Sequence, residues 1–202
     1  MRPRLPKLVA AVATSWLLGG APARAQVTSE PSAVVFPDPS KFARGLYTEG
    51  EIGAVALFGP AGTDVAPGFA VGTRIGYDLS RWLAVQGHFL GSTHETQGGT
   101  PLAGQLLQTY QAIAEVKLTL RFGQTSIFGE GGFGAERLST NVLYVLGIER
   151  YRIGAVAGGG AGFDYHSLSR HFSVGLRGDF LRLFQIASSK ELIATTYLRY
   201  TF

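Results

Sequence analysis

Phe69-Ala70-Val71-Gly72-Thr73-Arg74-Ile75-Gly76-Tyr77-Asp78-Leu79 alternates without a break. In an extended chain Phe69, Val71, Thr73, Ile75, Tyr77 and Leu79 share one face, and Ala70, Gly72, Arg74, Gly76 and Asp78 share the other. One face is apolar and bulky; the other is small or charged. A strand of about ten residues, tilted near 45°, is long enough to cross a bilayer.

Seven other segments carry the same period of two. Leu46 to Phe58 places Ile52, Ala54, Ala56 and Phe58 outward, and Tyr47, Glu49 and Glu51 inward. Trp82 to Leu90 places Leu83, Val85 and Phe89 outward, and Gln86 and His88 inward. Tyr110 to Phe122 turns Gln111, Glu115, Lys117 and Arg121 inward, behind an apolar row from Ala112 to Phe122. Ser126 to Glu136 carries Glu130 and Glu136 inward, and Tyr151 to Tyr165 carries Arg152 and Asp164. Phe172 to Leu181 carries Arg177 and Asp179 inward, and Leu192 to Phe202 carries Thr195, Tyr197 and Arg199. Connections after the second, fourth and sixth segments are short (Ser80-Arg81, Gly123-Gln124-Thr125, 166–170). The others are generally longer: 59–68, 91–109, 137–150 and 183–191. Short turns on one side and longer loops on the other belong to outer-membrane barrels. The expected fold is therefore all-β, an eight-stranded antiparallel up-and-down transmembrane β-barrel over 44–202. Two stretches are ambiguous. Leu102 to Ala114 also has helical spacing, and Val142-Leu143-Tyr144-Val145-Leu146 is apolar without alternation.

The N-terminus agrees with export. A basic Met1 to Lys7, an apolar Leu8 to Leu18 and Ala23-Arg24-Ala25 make a signal peptide over 1–25. A Pro-containing periplasmic arm is expected over 26–43. The chain holds 18 Lys+Arg and 14 Asp+Glu. Removing Arg2, Arg4, Lys7 and Arg24 leaves fourteen bases against fourteen acids, so the basic balance resides in the leader and gives no footprint for nucleic acid. The absence of cysteine excludes disulfides, thiolate metal sites and a Cys nucleophile. Only 16% of residues are charged, well below the roughly 25% usual in soluble domains. No run of about 18 apolar residues follows the leader, which leaves a closed barrel as the membrane-crossing solution.

Alternation alone also suits a soluble barrel with its apolar face turned in. Aromatic placement favours lipid outside. Tyr77, Trp82, Phe122, Tyr165, Phe172, Tyr200 and Phe202 gather at the periplasmic rim, and Phe58, Phe69, Phe89 and Phe180 at the outer rim. Such girdles mark both interfaces of membrane barrels.

The last residues, Thr195-Thr196-Tyr197-Leu198-Arg199-Tyr200-Thr201-Phe202, resemble the C-terminal insertion signal of bacterial outer-membrane proteins. From Gly45 to Phe202 the pattern resembles the small barrel superfamily of OmpA- and OmpX-type proteins. That resemblance implies a Gram-negative outer membrane, both termini in the periplasm, and Leu198, Tyr200 and Phe202 read by the barrel-assembly machinery. It implies no activity, because one fold hosts many functions.

The inward charges are the richest chemical feature. Arg74, Lys117, Arg121, Arg152, Arg177 and Arg199 meet Glu49, Glu51, Asp78, Glu115, Glu130, Glu136, Asp164 and Asp179. An eight-stranded barrel is just wide enough for side chains to fill, so a packed salt-bridge plug is expected rather than a pore. Gly129-Glu130-Gly131-Gly132-Phe133-Gly134 fits G-x-G-x-x-G but lacks the βαβ unit that dinucleotide binding requires. His88 faces inward near the outer rim, with Ser92, His94 and Glu95 expected in the following loop; such a set is the one hook for a lipid-modifying hydrolase. No cofactor or metal constellation is visible. The expected function is a non-enzymatic scaffold that displays outer loops for adhesion or for surface or envelope assembly. A lipid A hydrolase and a narrow, porin-like path for small solutes are the alternatives. Expected partners are outer-membrane lipid, lipopolysaccharide and envelope proteins.

Overall fold

The structure, a computed structural model, describes residues 44–59, 62, 65–97, 106–138, 153–167, 171–184 and 189–202. The expected leader and arm, the 142–148 stretch and Arg152 lie outside them. Eight strands follow in order: β1 (Leu46–Phe58), β2 (Gly68–Asp78), β3 (Leu83–Glu95), β4 (Leu106–Phe122), β5 (Thr125–Leu138), β6 (Ile153–His166), β7 (Phe172–Leu183) and β8 (Ser189–Thr201). Each pairs antiparallel with its neighbour in the chain, and β8 closes on β1 to complete a barrel. At the seam the Phe202 amide donates to the Leu46 carbonyl at 2.9 Å. Closure removes the unpaired edge that an open sheet would present.

The strands are longer than the alternation suggested at several ends, by three residues or more at three of them. β3 continues to Glu95 because β4 pairs with it from Leu106 onward, with Glu95 opposite Leu106 and Ser92 opposite Thr109. Ser92, His94 and Glu95 therefore sit on a strand and not in a loop. The helical spacing across 102–114 gives way to strand from Leu106, since ladder bonds to β3 and β5 satisfy the backbone on both sides. β8 begins at Ser189, opposite Leu183 of β7.

Both ends of the barrel segment lie at one mouth, with the connections 79–82, 123–124 and 167–171. We call it the turn end. Gly123 adopts a left-handed φ of +65° in the tightest of these turns, where a side chain would be strained. At the loop end lie the strand ends that 59–67, 96–105, 139–152 and 184–188 connect in sequence.

Candidate functional site

Side chains divide by face along every strand. Outward positions are apolar and open: Ile52, Val71, Ile75, Val116, Leu118, Leu120, Phe133, Leu176 and Leu198 are all about half exposed or more. Among the described strand residues, the outward charges are Glu95, Arg137, Arg182 and Lys190, all at the loop end. Two outward threonines turn their hydroxyls to backbone carbonyls. Thr73 donates to the Glu49 carbonyl at 2.8 Å, and Thr196 to the Gly175 carbonyl at 3.3 Å. A water-facing surface needs no such economy, whereas hydrocarbon penalises an unsatisfied hydroxyl by several kcal/mol. Thirty large apolar side chains are exposed among the described residues, whereas a soluble monomer rarely exposes more than a few hundred Å² of contiguous apolar surface.

The aromatic residues singled out in the sequence all point outward. Tyr77, Trp82, Phe122, Tyr165, Phe172, Tyr200 and Phe202 ring the turn end, where Tyr200 packs on Phe172 and Phe202 at centroid distances of 4.9 and 5.0 Å. Phe58, Phe69 and Phe180 lie toward the loop end. Phe89 lies mid-strand, opposite Thr73 and Ala112, because β3 is longer than expected. Small residues on β5 and β6 leave a shallow exterior depression of about 680 Å³, bordered by Trp82, Leu118, Leu120 and Ile127.

Inside, the turn-end half of the lumen is an ion-pair network. Arg74 is fully buried at its centre. It donates to Glu115 at 3.1 Å and Asp179 at 2.9 Å, contacts Glu51, and lies 3.4 Å from Glu130. Arg177 donates to Glu49 at 2.7 Å and Glu51 at 3.1 Å, and its Nε stands 2.8 Å from Glu130 without hydrogen-bond alignment. Arg199 pairs with Asp78. Lys117 sits 3.5 Å from Glu49 and 3.7 Å from Asp164. His88 bridges Glu51 at 2.7 Å and Glu115 at 3.2 Å. Arg121 is half-buried at the turn end, donating to the Arg81 carbonyl at 3.3 Å. Period-two alternation thus brings together side chains more than a hundred residues apart.

Aromatic rings fill the space between the charges, and glycines make room for them. The Arg199 guanidinium stacks 3.6 Å over Tyr47, and the Lys117 ammonium lies 3.8 Å from the Phe128 ring centre. A Cβ on Gly76 would stand 2.4 Å from the Tyr47 ring, and one on Gly175 equally close to Tyr197. Gly132 and Gly134, part of the G-x-G-x-x-G run, face the lumen in mid-β5, where a Cβ would meet backbone carbonyls near 2 Å. The glycines serve packing inside a strand that continues to Leu138.

The loop-end half of the lumen is different, and the alternation concealed it. Val55, Leu57, Leu90, Ile113, Leu181 and Ile193 belong to a buried apolar cluster. Within it lie Glu136 and Glu191, remote from the arginines in register. Glu191 falls in what reads from sequence as a loop; extending the β8 alternation back from Leu192 would have placed it inward. Near the same end Ser92 Oγ is 3.2 Å from His94 Nε2 and 2.6 Å from Thr109 Oγ1, while His94 Nδ1 faces the Ala66 carbonyl at 3.1 Å. Ser92 and His94 are buried, and Glu95 points outward. At the turn end His166 contacts Ser126 at 3.1 Å, and His171 the Thr201 carbonyl at 2.6 Å.

No protein-family profile matches the chain, and no curated protein shows significant similarity to it. Solved structures do resemble it. Neisserial surface protein A is 10% identical with a TM-score of 0.58, over 80% of this chain and all of that one. The outer-membrane protein OprG of Pseudomonas aeruginosa is 13% identical with a TM-score of 0.52, over 80% of this chain and 97% of that one. At such identities the likeness is one of fold: the chain forms the closed eight-stranded barrel seen in small outer-membrane proteins.

Proposed function

We propose that the protein is an outer-membrane barrel that acts as a scaffold, held by its apolar belt and presenting its loop end to partners outside the cell. The observation that carries this is the filled lumen. Paired charges occupy one half, an apolar cluster with a few buried polar groups the other, and an interior of this strand number has little space left for solute. In this orientation the turn end, and with it the first and last residues of the barrel segment, faces the periplasm. The belt packs against lipid and lipopolysaccharide, and Leu198, Tyr200 and Phe202 form the signal for the assembly machinery. The connections 59–67, 96–105 and 139–152 are the surface offered for adhesion or for envelope complexes.

The alternatives gain less support. A hydrolase needs a nucleophile open to lipid and a histidine oriented by an acid. Ser92 is 3% exposed within the lumen, and His94 is oriented by a carbonyl. A pore needs an open path, and the inward side chains of both halves are packed and buried. Reconstitution into planar bilayers tests the proposal: the purified barrel is expected to insert without stable nanosiemens-scale openings. Regular openings of that size would refute a sealed scaffold.

A further inference from the structure

The loop-end lumen holds two acids that the ionic network does not reach. Glu136 on β5 and Glu191 on β8 are 1% and 0% exposed. Gln111 on β4 links them: it is the register partner of Glu136, and its amide nitrogen donates to Glu191. Neither carboxylate oxygen of Glu136 has a hydrogen-bond partner, and one oxygen of Glu191 has none. The Gln111 amide oxygen is likewise buried and unpartnered. So is the Ser189 hydroxyl, on the same face of β8 as Glu191. Five buried oxygens on β4, β5 and β8 thus lack a hydrogen-bond donor, and register and the Gln111 contact place four of them, on Gln111, Glu136 and Glu191, side by side.

Such groups are costly when left unsatisfied, and carboxylates in an apolar cage most of all. Relief does not come from the neighbouring network. Among the described residues, nine buried acids share the lumen with four buried bases. Arg74, Arg177, Arg199 and Lys117 each already face two or more carboxylates. His88 is committed between Glu51 and Glu115. Among the described residues the lumen is short of positive charge, and none of the described bases contacts Glu136 or Glu191.

We propose that Glu136, Glu191, Gln111 and Ser189 bind a divalent hard cation, Ca²⁺ in preference to Mg²⁺. All the available donors are oxygens, with no sulfur or imidazole among them, which is the ligand chemistry of these ions. Two carboxylates match the ionic charge. The donors come from three strands with irregular placement, which Ca²⁺ tolerates, whereas Mg²⁺ demands near-octahedral geometry and retains waters that an apolar cage does not house. Among the described residues no three His, Asp or Glu side chains are grouped for a metal, so the site leans on neutral oxygens and its affinity is modest. A bound ion would tie β4, β5 and β8 together across the lumen.

The test uses the full mature chain refolded into non-ionic detergent, free of lipid A, stripped with EDTA and titrated calorimetrically with CaCl₂. One Ca²⁺ per chain is expected, with a Kd of about 10⁻⁴–10⁻³ M, the range of weak extracellular modules. Glu136→Gln and Glu191→Gln each weaken binding at least tenfold, and Glu95→Gln on the exterior leaves it unchanged. A flat titration of the wild type overturns the proposal, as does an unaltered isotherm in the double Gln variant. Should the variants fail to fold, Mn²⁺ added to the wild-type barrel in micelles must broaden the amide resonances of Gln111, Glu136 and Glu191 first. Broadening centred elsewhere, or none, overturns it equally.

Discussion

Replacing Arg74 by methionine removes the centre of the ionic network while nearly preserving volume. The guanidinium is fully buried and faces Glu51, Glu115, Glu130 and Asp179. Methionine leaves these four without their shared cation. Removing one partner of a buried pair costs about 3–5 kcal/mol, because the remaining charge stays desolvated and uncompensated. Two of the four keep some relief, since Arg177 lies 3.1 Å from Glu51 and 2.8 Å from Glu130. Glu115 keeps His88 at 3.2 Å and the Gln86 amide at 2.6 Å. The loss should therefore fall at the lower end, about 3 kcal/mol. Arg182→Met on the exterior, which removes a charge from the lipid-facing side at the loop end, should change stability by less than about 0.5 kcal/mol. Urea unfolding in lipid vesicles, followed by tryptophan fluorescence and by the gel shift between folded and heated forms, measures both. Adding Glu51→Gln to Arg74→Met should cost less than the sum of the single changes, because the two share one network. An Arg74→Met barrel within 1 kcal/mol of wild type, judged against the ~3–5 kcal/mol scale of a broken buried pair, would mean that the lumen is hydrated and the network unnecessary.

Three further outcomes follow from the same geometry. Gly162→Ala brings a Cβ to 2.3 Å from the Phe128 ring and 2.4 Å from the Leu176 carbonyl, so it should destabilise the barrel by about 1–3 kcal/mol in the same urea assay. Leu118→Arg, outward in the middle of the belt, should cost about 2–4 kcal/mol in vesicles, while Leu106→Arg at the loop end should cost at most about 1 kcal/mol; equal penalties would contradict a hydrocarbon gradient along β4. Tyr200→Ala with Phe202→Ala should lower the fraction of chain that reaches the outer membrane, read by cell fractionation, if the last residues are a recognition signal.

Much of the fold is written in period two. In β2 the rows Phe69–Tyr77 and Ala70–Asp78 differ so strongly that the inward face is set before any partner strand is known. β4 from Tyr110 to Phe122 reads equally well. Strand ends read poorly, because they depend on the neighbour. Leu106 to Thr109 is strand only because β3 reaches Glu95 beside it, and a single segment carries no record of its partner's length. Half of the lumen was legible for the same reason. Glu49, Arg74, Glu115 and Arg177 stand out as charges on an otherwise small or polar face. Val55, Leu57 and Ile193 do not, since in runs such as Ala54-Val55-Ala56-Leu57-Phe58 both faces are apolar and the inward one is camouflaged. Glu191 was hidden by a boundary placed three residues late.

The central claim is that bulky apolar residues face hydrocarbon while the charges are sealed within. The chain has no cysteine, so single cysteines can be placed and spin-labelled along β4 from 114 to 121 in lipid bilayers. Collision rates with oxygen, which concentrates in lipid, should be high at 114, 116, 118 and 120 and low at 115, 117 and 119, with a water-soluble nickel chelate reaching none of these positions. A chelate signal peaking at the even positions, or oxygen accessibility without a two-residue period, would contradict it.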